Sequence, residues 1–261
     1  QHAQFILHMF EKSICPNSVN IFVDDPINRQ AMNILNGLTI EDIKFVIEGP
    51  RKSGKTSFLF TLAKQLARKL QVSDQPSKYM FFPMSFELLA NDFNNARNLL
   101  KSFVTTILDS LKYSNYKLLP YIPLMRQFFN TVIHGNIPQF PSALEKVDFI
   151  DAKTICKLGK ELSRLLHQTT PESLVEFVQA LVRVPQEMAI ALGFTAPIYI
   201  FDTFEYCDVE IRPGPDFFPQ AIQTINFAPL LSAQLNGGYY IVTMQDDQRF
   251  LECFACNDSA L

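Results

Sequence analysis

The sequence predicts an α/β fold with a parallel sheet and a large helical insertion. Three observations point to it. Apolar runs of strand length alternate with stretches of helical period, as βαβ units require. A polar, cationic loop joins the first of these runs to a long amphipathic stretch, in "FVIEGPRKSGKTSFLF" (residues 45–60). From Asn91 to Leu192, apolar positions recur at three- and four-residue steps, as in "ARNLLKSFVTTILDSL" and "PESLVEFVQALVRV".

Taken in order, residues 1–12 read as the end of a helix and "VNIFVDDP" as a short extended segment. Asp24-Asp25-Pro26 then introduces a helix over roughly Ile27 to Leu38, with proline near its first turn. "IKFVIEG" is a buried strand, and Thr56 to Leu70 a helix with the basic end that the macrodipole favours. "KYMFFPMSFE" (Lys78 to Glu87) is a second strand, in which Pro83 signals an edge or a bulge. After the helical stretch, "PIYIFD" is a third strand, "PQAIQTINFAPLLSAQL" is helical, and "GGYYIVTMQD" is a fourth strand. Residues 1–90 and 196–261 thus form the core, and 91–195 a helical insertion or subdomain. Sixteen prolines against nine glycines suggest that many helices are interrupted.

The composition narrows the function. With 48% hydrophobic and 19% charged residues, 261 residues suffice for one large domain or two small ones. A net charge of −3 and no long basic tract argue against a nucleic-acid groove. The most apolar run, Met188 to Phe201, is too short to span a bilayer and is broken by Gly193 and Pro197. "QHAQFILHMF" lacks the basic region and cleavage site of a signal peptide. Five scattered cysteines, odd in number, fit a reduced intracellular setting, with the cytoplasm as the expected compartment. "CFAC" (Cys253 to Cys256) has no second pair and no nearby histidine, so it reads as two helix-face thiols. His134 and His167 lack partners at ligand spacing, and Asn257-Asp258-Ser259 is only a formal glycosylation match. A chain that opens on Gln1 suggests a processed protein or a piece of a longer one.

Chemistry is concentrated in Gly49-Pro50-Arg51-Lys52-Ser53-Gly54-Lys55-Thr56, which fits G-x-x-x-x-G-K-[ST] at every fixed position. Gly49 and Gly54 let the loop wrap with its amides inward. The helix that follows offers unpaired amides and a positive dipole end to phosphates. Lys55 reaches the β- and γ-phosphates, and the Thr56 hydroxyl binds Mg²⁺. Asp202 closes an apolar strand at its C-terminal end and is the second Mg²⁺ candidate, acting through water. Hydrolysis also needs a group that orients water. Thr203 stands next to Asp202, so the candidates are Glu205, three residues on, and Glu87 on the neighbouring strand. Thr243, at the end of the fourth strand, is placed to touch the γ-phosphate or the water, with Gln245 two residues on.

With these pieces in this order, the chain resembles the P-loop ATPases of the AAA+/STAND group, in particular the archaeal-ATPase-like branch. "GPRKSGKTSFL" is similar to that group's phosphate loop, "IYIFD" to its Walker B strand and "YYIVT" to its sensor-1 strand. The likeness covers residues 20–90 and 196–247. It implies ATP and Mg²⁺ as ligands, the loop from Gly49 through Ser57 as the nucleotide cradle, and Phe22 and Val23 against the adenine. Two departures stand out. The acid that the group carries after Asp202 is Thr203 here, and the chain stops at Leu261, too soon for that group's C-terminal lid. The resemblance therefore implies a fragment of a larger protein. It also implies a nucleotide-dependent switch that works on neighbouring domains, a protein partner or a second copy of the chain. Two alternatives stay open. One is a non-hydrolysing nucleotide scaffold. The other is a small-molecule kinase, since "VIEGPRKSGKT" is also similar to the loop of thymidylate kinases, whose Asp-Arg motif is missing here.

Overall fold

The structure, a computed structural model, describes residues 26–51, 53–70, 77–89, 95–134, 136, 139–168, 170–213, 218, 220–221, 223–235 and 238–245. The segments 1–12 and "VNIFVDDP" up to Asp25, Phe22 and Val23 among them, lie outside these residues, as do Lys52, "CFAC" and Asn257.

Helix α1 (Pro26–Asn36) leads into strand β1 (Lys44–Glu48), and helix α2 (Lys55–Leu70) leaves the loop after it. Strand β2 (Tyr79–Ser85) turns directly into a one-turn helix, α3 (Phe86–Leu89). Then come α4 (Ala96–Ser114), α5 (Ile122–Ile133), α6 (Ala152–His167) and α7 (Ser173–Ala191), followed by β3 (Ala196–Asp202). A short antiparallel ladder of β4 (Glu210–Ile211) and β5 (Ile225–Asn226) precedes α8 (Phe227–Leu235) and β6 (Tyr239–Met244). Among the described residues the main sheet is all parallel, in the order β1-β6-β3-β2. None of their helices is long and apolar enough to cross a membrane.

The two-residue period of the strands sorts the core into two layers. Phe81, Ile198, Ile200 and Ile241 face one side, where Leu59, Leu62, Ala63 and Leu66 of α2 and Leu35 of α1 meet them. Met80, Phe82, Met84, Tyr199, Phe201, Val242 and Met244 face the other and join the cores of α4, α5, α6, α7 and α8. Helices α4 and α7 lie on the sheet, α5 packs on α4, α6 bridges α5 and α7, and α8 packs on α7. Strands buried on both faces are near-continuous apolar runs, which is why β2, β3 and β6 were readable as strands.

Pro83 sits where it costs nothing. The Phe81 amide donates to Ser114 Oγ (3.2 Å) and its carbonyl accepts from Ser110 Oγ (2.7 Å), so odd-numbered residues of β2 turn their backbone away from β3. Pro83 shares that parity, and its missing N–H falls on the outer edge. Two serines of α4 thus cover the exposed backbone of an edge strand.

The structure corrects the sequence reading in several places. The second strand ends at Ser85, and Glu87 belongs to α3. "PQAIQTINFAPLLSAQL" is helical only from Phe227, because Ile225 and Asn226 pair with β4. The described residues between Gln139 and Asp151 are mostly turns around a single 3₁₀ segment, Leu144–Lys146, rather than helix. Proline does not always interrupt: α7 runs through Pro185, which is buried within the helix.

Candidate functional site

Gly49 (φ 156°) and Gly54 (φ 87°) take backbone conformations that residues with a Cβ rarely adopt, and a Cβ on Gly49 would meet Ser53 Oγ at 3.1 Å. The loop between them therefore turns tightly onto the start of α2, whose first-turn amides have no carbonyl partners in the helix. Lys55 Nζ folds back to donate to the Gly49 and Pro50 carbonyls, both at 2.7 Å.

Strand parity brings the remaining groups to the same place. Asp202 and Thr243 share the face of Ile200 and Ile241, the face covered by α2, and the register sets Thr243 beside Ile47, just before the loop. Thr56, in the first turn of α2, donates its hydroxyl to Asp202 at 3.0 Å from Oδ1 and 3.1 Å from Oδ2. Thr243 Oγ1 donates to Asp202 Oδ1 at 2.6 Å. Asp202 is 5% exposed and Thr243 fully buried. Among the described residues, two hydroxyl donors hold this deeply buried carboxylate.

Thr203 follows in the left-handed region, at φ 55° and ψ 51°. Its N–H donates to Thr243 Oγ1 (3.0 Å), its hydroxyl donates to the Asp202 carbonyl (2.7 Å), and the same oxygen accepts the Glu87 amide (3.0 Å). One residue, through its backbone N–H and its hydroxyl, thus ties together the ends of β3, β6 and β2. Glu205 lies on the 3₁₀ turn Phe204–Cys207 and accepts the Gln245 amide at 3.3 Å. From the loop, the Arg51 guanidinium donates to the Tyr206 hydroxyl of that same turn. The buried Cys207 thiol of that turn is pushed up by burial and by the nearby Glu205 and Asp208 carboxylates, which favours its protonated form.

Beside these groups opens a cleft of 440 Å³ lined by Arg51, Ser53, Gly54, Lys55, Thr56, Glu87, Thr203, Glu205, Tyr206 and Gln245. A larger hollow of 860 Å³ runs along α6 past Lys153, Cys156, Lys157 and Lys160. Apart from Glu145 its lining comes from α6 alone, whereas the smaller cleft gathers side chains from the loop, α2, α3, the turn after β3 and the end of β6, so the smaller cleft is the candidate site. Among the described residues no three His, Cys, Asp or Glu side chains gather to hold a metal. The oxygens of Thr56 and Asp202 suit a hard divalent cation whose other ligands are water and phosphate.

Of the residues expected at the site, the structure brings Lys55, Thr56, Asp202, Thr243 and Glu205 to one rim of the sheet, and Ser53, Gly54 and Arg51 to the cleft wall. Ser57 is exposed, and its carbonyl accepts the Thr61 hydroxyl. Sequence reasoning missed the tie made by Thr203 and the part played by Tyr206. A left-handed threonine leaves no trace in composition or periodicity; the one available signal was that a polar residue stood where an acid was expected. Comparison of the chain with protein-family models, with curated proteins and with solved structures found no match.

Proposed function

We propose that this chain binds MgATP in the cleft at residues 49–56 and works as a nucleotide-dependent switch with slow hydrolysis. One observation carries the reading: the Thr56 hydroxyl and the Asp202 carboxylate, 146 residues apart, meet at 3.0 Å under a glycine-bounded loop. In this reading the loop amides and Lys55 take the phosphates, and Lys55 exchanges two loop carbonyls for phosphate oxygens. Thr56 and Asp202 would hold Mg²⁺, which would neutralise phosphate charge. The Arg51–Tyr206 bond links the loop to the turn after Asp202, so filling one displaces the other and changes the surface offered to a partner. Threonine rather than an acid at position 203 supports turnover below about one per minute, the range of unassisted phosphate-loop sites.

The test is thermal stability with and without MgATP. Ligand at a hundred times its Kd adds about 2.7 kcal/mol to the folded state, which Lys55→Ala should abolish. The variant should also melt slightly earlier without ligand, since Lys55 satisfies the Gly49 and Pro50 carbonyls in the bare loop. Equal stabilisation of wild type and variant by MgATP would refute the site.

A further inference from the structure

We propose that Glu87 is the carboxylate that orients the attacking water, and that Thr203 is the residue that positions it. The inference rests on the nucleotide reading above. It starts from an outlier. A β-branched residue in the left-handed region is strained by roughly 1–3 kcal/mol, and such strain persists only where the surroundings enforce it. Thr203 is held there by its N–H on Thr243 Oγ1 (3.0 Å) and its hydroxyl on the Asp202 carbonyl (2.7 Å). In that conformation its oxygen is free to do one more thing, and it accepts the Glu87 amide at 3.0 Å.

The consequence is positional. Ser85 pairs with Asp202, so Glu87 emerges two residues beyond the rim, in the helical turn α3 that follows the strand beside the one that carries Asp202. Its amide is fixed by Thr203, and it lines the same cleft as Lys55 and Thr56. Among the described residues nothing binds its carboxylate. Glu205 differs: its Oε2 accepts the Gln245 amide at 3.3 Å, so it secures the exit of β6. Threonine at 203 has no carboxylate to offer, yet it delivers one from the helical turn after the adjacent strand.

The step balances as an ordinary hydrolysis. The water oxygen bonds to the γ-phosphorus while the bond from the bridging oxygen to that phosphorus breaks, and ADP leaves with the electron pair. Glu87 takes the proton that the water loses and passes it to the released phosphate.

The experiment measures MgATP affinity and single-turnover hydrolysis for the full chain and four variants. Glu87→Gln should lose roughly 100-fold in turnover, the usual worth of a positioned base, with affinity changed less than about threefold. Glu205→Gln should lose much less. Thr203→Val keeps the branched shape and deletes the oxygen; its turnover should drop about tenfold, the scale of one lost hydrogen bond, and Thr203→Ser should restore it. Without nucleotide, amide exchange at residues 86–88 should quicken in Thr203→Val and stay slow in Thr203→Ser. Wild-type turnover in Glu87→Gln, the larger loss in Glu205→Gln, equal behaviour of the two Thr203 variants, or binding with no turnover by wild type would each overturn the inference. Failure of wild type to bind MgATP at all would instead overturn the nucleotide reading.

Discussion

Asp202 accepts from two hydroxyls at once, Thr56 from the helix after the loop and Thr243 from the central strand β6. Replacing it by asparagine keeps the shape but puts an NH₂ group where an acceptor is needed, and removes the charge that a hydrated cation would feel. Asp202→Asn should therefore weaken the Mg²⁺-dependent part of ATP affinity about tenfold or more, the scale of a charge-assisted bond, and spare the metal-free part. Identical magnesium titrations for the two proteins would remove Asp202 from the metal site. Most residues of this cleft were legible in the sequence, because glycines, a lysine and a hydroxyl stand at a fixed spacing between a strand and a helix. Thr203 was not legible, since its role depends on a backbone angle and on an amide 116 residues away.

At the scale of elements, α6 offers two clean tests. Its N-cap, Asp151, accepts the Thr154 amide at 3.0 Å and the Thr154 hydroxyl at 2.7 Å. These two bonds, the hydroxyl first, hold its carboxyl below its ordinary value of 3.8. A lowered folded-state value means stability that is present above pH 3.8 and lost as pH falls through the folded value. Asp151→Ala should cost about 1 kcal/mol at neutral pH, as cap removals do, and almost nothing near pH 2, measured by urea denaturation at both. Gly159 stands inside α6, where alanine is normally favoured, but a Cβ there would meet the Phe128 ring of α5 at 2.4 Å and 2.5 Å. Gly159→Ala should destabilise by about 1–3 kcal/mol through overpacking, and Phe128→Leu should recover part of it. The strands and the long helices were readable because their periods are strong. The β4–β5 ladder was hidden in "PQAIQTINFAPLLSAQL" because two paired residues are too few to imprint a period, and tertiary pairing overrode the helical pattern there.

At the scale of the molecule, the helices between Ala96 and Ala191 share one continuous apolar core with the sheet. Strip them away and Met80, Phe82, Met84, Tyr199 and Phe201 of β2 and β3 lose their cover, as does the outer edge of β2 that Ser110 and Ser114 shield. Most single domains under about 150 residues melt in one step, and the continuous core extends that expectation to this longer chain. Scanning calorimetry should record a single endotherm whose van't Hoff and calorimetric enthalpies agree. Two resolved peaks would show that sheet and helices melt independently. Indivisibility of this kind changes what the cleft can report. A ligand seated at the rim would delay the melting of α5 and α6, which it never touches, by as many degrees as the loop that grips it.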